Sequence, residues 1–422
     1  MVYCRARVRR VLTVVSIALT LCLTAHGSPK YKVLHSFNGS DGSAPWAGVI
    51  LDSRRNVYGT TVAGGGGAGC GEEGCGAVFE LTPNSKGGWV ESILYNFPLG
   101  NGDGFDVHGS LLLDASGNLY GTTVNGGQTG CGRTCGTVYE LMPTASGWQQ
   151  TTLLEFNLSD GAEPYAGVVM DSAGNLYGTA PGGGPNTGGV AYELSPGSGG
   201  WNETVLNGFH ISYYGKPAPG GSAPYAGLIL GASGNLYGTT YEGGAACASG
   251  CGVVYELTPA SGGGWNETVL HTFGNNVTDG VTPGWGALFM DSSGALYGTT
   301  QGGGSYGGVV FKLTPKANGR WKETILHDFD PSAYGPNAGV VMDKSGNLYG
   351  STGNGGFQDC GVIYKLAPKP KDKWKYTVLH IFNGTDGCIP EGNLVLDKKG
   401  NLYGGTVGGG AYSNGAVFKL TP

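Results

Sequence analysis

Charge is scarce in this chain, and what there is leans to one sign. Only 13% of the 422 residues are charged. Setting aside the four arginines within residues 1–27 leaves 20 Lys and Arg against 30 Asp and Glu. No basic cluster interrupts this acidic balance, which argues against nucleic acids and anionic membrane surfaces as partners. Apolar runs are just as rare. The longest, Val11 to Leu23, is shorter than a membrane span needs. It follows Arg5, Arg7, Arg9 and Arg10 and precedes the small-x-small stretch Ala25-His26-Gly27. Residues 1–27 therefore read as a secretory signal peptide. The twin-arginine and lipobox alternatives fail, because the rest of the first motif is missing and leucine precedes Cys22. Residues 28–422 are expected to be one exported domain, secreted or periplasmic, with no membrane insertion. Helical periodicity is missing throughout, and so are nucleophile motifs, metal-ligand clusters and any reason to expect a cofactor.

Glycine, by contrast, abounds. Gly and Pro together make up 105 of 422 residues, close to the level at which disorder is the compositional default. A strict internal period overrules that default. The stretch Gly234-Asn235-Leu236-Tyr237-Gly238-Thr239-Thr240 recurs seven times, with its tyrosine at Tyr58, Tyr120, Tyr177, Tyr237, Tyr297, Tyr349 and Tyr403. The intervals are 62, 57, 60, 60, 52 and 54 residues. Each copy is then one supersecondary unit that must stack on its neighbours.

Each copy reads as four short strands bounded by Gly, Asn and Pro. In the fourth copy these are Ala226 to Leu230 (strand A), Leu236 to Thr240 (B), Gly252 to Leu257 (C) and Glu267 to Phe273 (D). The domain begins with a D-type strand, Tyr31 to Phe37, and ends with a C-type strand, Gly415 to Leu420. An open solenoid would leave both as orphans, whereas a ring pairs them. The expected fold is all-β: a seven-bladed β-propeller of four-stranded antiparallel blades, closed by pairing the N-terminal strand with the C-terminal one. Strand A should be innermost, because C–D closure makes it the opposite edge of every blade.

Pro-x-Ala-Gly before strand A, Asp-x-x-Gly-Asn-Leu-Tyr-Gly-Thr-Thr across A and B, and Gly-x-Val-Phe/Tyr-x-Leu-x-Pro in strand C resemble the GloVer tandem repeat (the Gloeo/Verruco type) of bacterial exported proteins. The resemblance covers nearly all of residues 31 to 422. It implies an extracellular repeat protein and no particular substrate.

In such a meander the D–A and B–C loops share one face. After Cys4 and Cys22, eight cysteines remain, and all map to that face. Cys70/Cys75, Cys131/Cys135 and Cys247/Cys251 each lie within one B–C loop, while Cys360 and Cys388 lie in successive loops. An even count in an exported chain favours four disulfides over zinc, since the spacings exceed Cys-x-x-Cys. His35, His271, His327 and His380 share one strand-D position, and Trp89, Trp148, Trp201, Trp265, Trp321 and Trp374 open strand D. Repetition of that kind reads as packing between blades. The Asp-Gly pairs at Asp41, Asp103, Asp160, Asp279 and Asp386 read as capped turns, with calcium ligation the alternative.

One position diverges among the copies. Six residues before the strand-A aspartate, or its equivalent, stand Trp46, His108, Tyr165, Tyr225, Trp285, Asn337 and Glu391. They should form one ring where strand A enters the central channel. Aromatic faces with a few convergent polar groups suit sugar rings; the bland alternative is that they plug the channel. The long D–A loop from Phe209 to Pro224, with His210, Tyr213, Tyr214 and Lys216, is either a lid over this ring or a tolerated insertion. The expected function is non-catalytic binding of a glycan or another extracellular ligand by a monomer. A glycan hydrolase or lyase would draw on Glu391, His108 and nearby Asp106, and has only one carboxylate in the ring. A purely structural surface protein is the third reading.

Overall fold

The computed structural model describes residues 28–422, apart from 68, 71–73, 101, 128–130, 133, 214–215, 245, 248–249 and 318. The signal-peptide reading of 1–27 and Tyr214 thus lie outside the described residues.

Seven four-stranded antiparallel blades surround a common axis, each ordered A-B-C-D. Blade 1 comprises Ile50–Leu51, Val57–Thr61, Ala77–Pro83 and Trp89–Asn96. Blade 7 is composite. Val395–Leu396, Leu402–Thr406 and Ala416–Thr421 are completed by Lys30–Ser36, in register from Lys30 opposite Thr421 to Ser36 opposite Ala416. The ring closes as the strand count requires. The additions are short: Gly280–Pro283 extends blade 5, Ala333–Tyr334 pairs with Asn354–Gly355, and Phe357–Asp359 forms one 3-10 turn.

Every residue of the recurring motif has a distinct task. The strand-A aspartate folds the A–B turn, its Oδ1 accepting the backbone N–H four residues on, as from Asn56 to Asp52 at 2.8 Å and from Asn175 to Asp171 at 2.9 Å. Glycine at positive φ closes that turn, as at Gly117 and Gly174 (91° and 87°). The tyrosine hydroxyl donates to a carboxylate, Glu80 for Tyr58 at 2.7 Å and Asp343 for Tyr349 at 2.9 Å. Blade 4 has Gly231 in place of the aspartate, and there both Asn235 and Tyr237 reach Glu256 at 2.7 Å. The glycine after the tyrosine lies under the aromatic ring of strand C. A Cβ on Gly59 would stand 2.5 Å from Phe79 Cζ, which no side chain tolerates. Of the two threonines, the first reaches the next blade: Thr122 donates to Ala166 O at 2.9 Å and Thr299 to Ala338 O at 2.9 Å. The second accepts the first N–H of strand C, as from Ala77 to Thr61 at 3.1 Å.

Strand A is shorter than the apolar run Ala226 to Leu230 suggests, since only Ile229–Leu230 pairs with strand B. The start of strand A is taken up at the axis instead. A Cβ on Gly48 would stand 2.6 Å from Asn393 O, and one on Gly286 would overlap Gly339. Crowding between neighbouring strand-A starts thus replaces ladder pairing there.

Neighbouring blades meet through a repeated aromatic pair. The phenylalanine ending strand D packs against the strand-C aromatic of the next blade: Phe97 on Tyr139 at 5.1 Å and Phe273 on Phe311 at 5.1 Å. Core clusters accordingly draw on two blades, such as Tyr120 and Val138 with Tyr192 and Leu194. A register shift recurs in all seven C–D pairs. In blade 4 it falls between Val254–His271 and Tyr255–Val269, leaving Leu270 extra. An extra residue flips the side-chain alternation. Trp265 and Glu267 therefore face the preceding blade, where they meet Tyr177 and Asn207, while His271 faces the following one and Glu323.

All four expected disulfides form: Cys70–Cys75, Cys131–Cys135, Cys247–Cys251 and Cys360–Cys388. The last spans 28 residues and joins the loops of two blades, whereas the others span 4 or 5. Chain entropy assigns about 3.5 kcal/mol to the long link and about 2 kcal/mol to a short one. Denaturant titration of Cys388→Ser should show the larger loss, and an equal loss in Cys135→Ser would contradict this ranking. Removing residues 28–37 should uncover the edge of Ala416–Thr421 and lower the melting temperature. An unchanged melting temperature would show that this strand does not secure the ring.

Candidate functional site

The strand-A starts converge on the axis and carry the seven divergent side chains to one end of the channel. All seven are half-buried. Six of them, Trp46, His108, Tyr165, Tyr225, Trp285 and Glu391, line a single cavity of about 160 Å³. Asn337 does not line it, but hydrogen-bonds Glu391.

The aromatic members touch in sequence around the ring: Trp46 to His108 at 5.1 Å, His108 to Tyr165 at 5.1 Å, and Tyr165 to Tyr225 at 5.3 Å. Trp285 reaches across to stack on both Tyr225 and Trp46, each at 5.6 Å. It also contacts Tyr165 at 5.9 Å. The aromatic members of the lining therefore form one interlocked cluster.

The polar members are arranged differently. His108 Nε2 lies 3.0 Å from Asp106 Oδ1, and Asn125 donates to the other oxygen of Asp106 at 2.8 Å. Asp106 thus orients His108 from outside the cavity and leaves Nδ1 unbonded. Three buried polar atoms of lining residues have no hydrogen-bond partner: His108 Nδ1, Trp285 Nε1 and Glu391 Oε2. Buried polar atoms are ordinarily satisfied, so three unsatisfied ones on residues that line one cavity set this region apart from the rest of the scaffold. Burial raises the Glu391 carboxyl above the ordinary range, opposed by the hydrogen bond with Asn337.

Ser110 and Asn393 also line the cavity. Both occupy the position two residues after the ring residue, where most copies have Gly or Ala, and Asn393 Oδ1 accepts the Gly339 N–H at 2.7 Å. That substitution between copies was the available signal, and reading a single divergent position missed it. Tyr241 extends the aromatic cluster from the B–C loop, 5.6 Å from Tyr225. Among its described residues the Phe209–Pro224 loop contributes none to the lining, and Tyr213 is 61% exposed.

The repeat model of the Gloeobacter/Verrucomicrobia family matches residues 21–246 and again 224–422. The chain belongs to the Gloeobacter/Verrucomicrobia repeat family. No curated protein matches it. Among solved structures, the extracellular domain of a protein described as a one component system of B. thetaiotaomicron aligns with 93% of this chain, at 14% identity and a TM-score of 0.52. This chain spans 40% of the length of that structure, and the likeness is one of fold. A luciferin-regenerating enzyme aligns over 94% of this chain and 96% of its own, at 11% identity and a TM-score of 0.44.

A raised carboxyl in the ring has a consequence for stability. The folded chain holds the Glu391 proton more tightly than the unfolded chain, so stability is complete below the unfolded value of about 4.3 and falls as pH rises from there through the folded value. Melting temperatures taken from about pH 4 to pH 8 should decline less steeply in Glu391→Gln than in the unaltered protein. Identical profiles would mean that the carboxyl is not perturbed.

Proposed function

We propose that this repeat propeller is an exported, non-catalytic binding protein whose channel mouth takes one ring of a glycan or a similarly sized polar ring compound. The observation that carries this reading is the pairing of an aromatic-lined cavity of about 160 Å³ with three unpartnered polar atoms on its lining residues. An apolar cavity of about 150 Å³ accepts a benzene-sized ring, so the volume fits a single six-membered ring rather than a drug-sized ligand. Benzene itself would leave His108 Nδ1, Trp285 Nε1 and Glu391 Oε2 unsatisfied. A sugar ring supplies hydroxyls that both donate and accept, and its C–H faces suit aromatic surfaces. Export is supported by the four disulfides, which persist in oxidising compartments.

A second reading has its own observation. The Asp106–His108 pair and the raised Glu391 carboxyl supply two titratable groups of different character on one cavity wall. That is the minimum for acid–base cleavage of a glycan. Turnover assays on polysaccharides separate this from binding alone.

A glycan array followed by calorimetry tests the first reading. Trp285→Ala should remove about 1–2 kcal/mol of binding while leaving the fold intact, and Glu391→Gln should shift specificity. If Trp285→Ala/Tyr225→Ala binds every ligand found as well as the unaltered protein, the cluster is a plug and the site lies elsewhere.

A further inference from the structure

Away from the channel, the interface between blades 4 and 5 collects three side chains that the sequence assigns to packing, to turn-capping and to no role. His271 Nε2 lies 3.5 Å from Asp279 Oδ1 and 3.5 Å from Glu323 Oε1, and the three atoms are all within 4.8 Å of one another. None of the three atoms has a hydrogen-bond partner outside the cluster. The Asp279 side chain is fully buried, at 0% exposure, with Oδ1 directed into the cluster and given no partner outside it. Its other oxygen accepts the Asn275 N–H at 3.0 Å, which fixes the carboxylate plane. His271 is turned toward the cluster by the strand-D bulge at Leu270.

We propose that His271, Asp279 and Glu323 form a binding site for a divalent transition-metal cation, of the zinc or manganese class, that staples blade 4 to blade 5. Two buried carboxylates side by side repel and are costly unless a cation or a shared proton lies between them. One imidazole nitrogen with two carboxylate oxygens is a donor set for borderline cations rather than calcium, which takes oxygen ligands. Zinc bonds of about 2.0–2.2 Å at tetrahedral angles separate ligand atoms by about 3.3–3.5 Å, the spacing seen from His271 to both oxygens. Water would complete the coordination. Among the described residues, the other interfaces lack the combination of a buried carboxylate oxygen without a hydrogen bond and an unbonded imidazole. At the blade 7–1 interface His35 is already hydrogen-bonded to Asp41 at 3.1 Å, beside Glu91. At the blade 6–7 interface Tyr31 stacks on His380 at 3.7 Å in place of a glutamate.

Untagged protein, stripped with chelator and desalted, should retain one equivalent of added Zn²⁺ or Mn²⁺ per chain by elemental analysis. Its melting temperature should rise by about 3 °C at a hundredfold excess over Kd. Glu323→Gln and His271→Asn should each lose both effects while remaining folded by circular dichroism. Glu323→Gln removes a buried charge, so at least that variant is expected to fold. No retained metal, or retention unchanged in both variants, overturns the site. Retention lost only in His35→Ala places the ion at the other interface and overturns it equally.

Discussion

The ring depends on one contact made seven times. A strand-C aromatic sets the far end of its ring against a bare glycine of strand B, and the phenylalanine ending the previous blade's strand D packs against that ring. The seven centroid distances lie between 5.0 and 5.5 Å, from Phe209–Tyr255 to Phe382–Phe418. A Cβ on the glycine would lift the aromatic out of reach, as the 2.5 Å approach at Gly59 shows. Edge-to-face pairs of this kind add about 0.5–1.5 kcal/mol each beyond the area they bury. Because each blade supplies one half of two such pairs, no blade has both of its pairs until both neighbours are present. Closure through Phe37–Phe79 therefore completes the contacts of the first blade as well as the last.

This dependence explains why the fold was legible. Anything required once per blade appears seven times in the sequence, so the period, the four strands, the terminal pairing and the disulfide face could all be read from the chain. The tasks of the individual motif residues were hidden. The two threonines look alike in sequence, yet Thr122 reaches the next blade and Thr123 accepts from strand C of its own. The two-residue length of strand A was also hidden, because its apolar run gives no sign of the crowding between Gly48 and Asn393 at the axis.

The channel mouth was legible for a different reason. Scaffold constraints act on every copy, so a position free to differ among copies is one the scaffold does not fix. The ring residues satisfy that condition, and the structure gathers six of them around one cavity. Comparing copies at a single position nonetheless undercounts a site. Ser110 and Asn393 diverge less conspicuously, and Tyr241 occupies a second divergent position, directly after the motif, where other copies have Val62, Pro181 or Gln301.

The space between blades obeys neither logic, and that is where single-chain reading loses most. Each interface joins a strand-D residue of one copy to a strand-D residue of the next, so its chemistry is a property of pairs some 50 or more residues apart. Scanned column by column, the histidines look repetitive and the glutamates look incidental. Paired across interfaces they separate into kinds: His380 and His327 stack on Tyr31 and Tyr376, at 3.7 and 4.0 Å, while His271 meets Glu323 and Asn207 meets Glu267. A tyrosine packs on the imidazole by stacking and adds no second acid, so that His380 has Asp386 alone as its carboxylate partner, at 3.0 Å. A glutamate beside an aspartate brings two acids into a buried slot, which costs stability unless a proton or a cation is shared between them. The propeller repeats its aromatic contact without exception, and so it can tolerate such a slot at individual interfaces. Chemistry can be placed there while the ring stays closed.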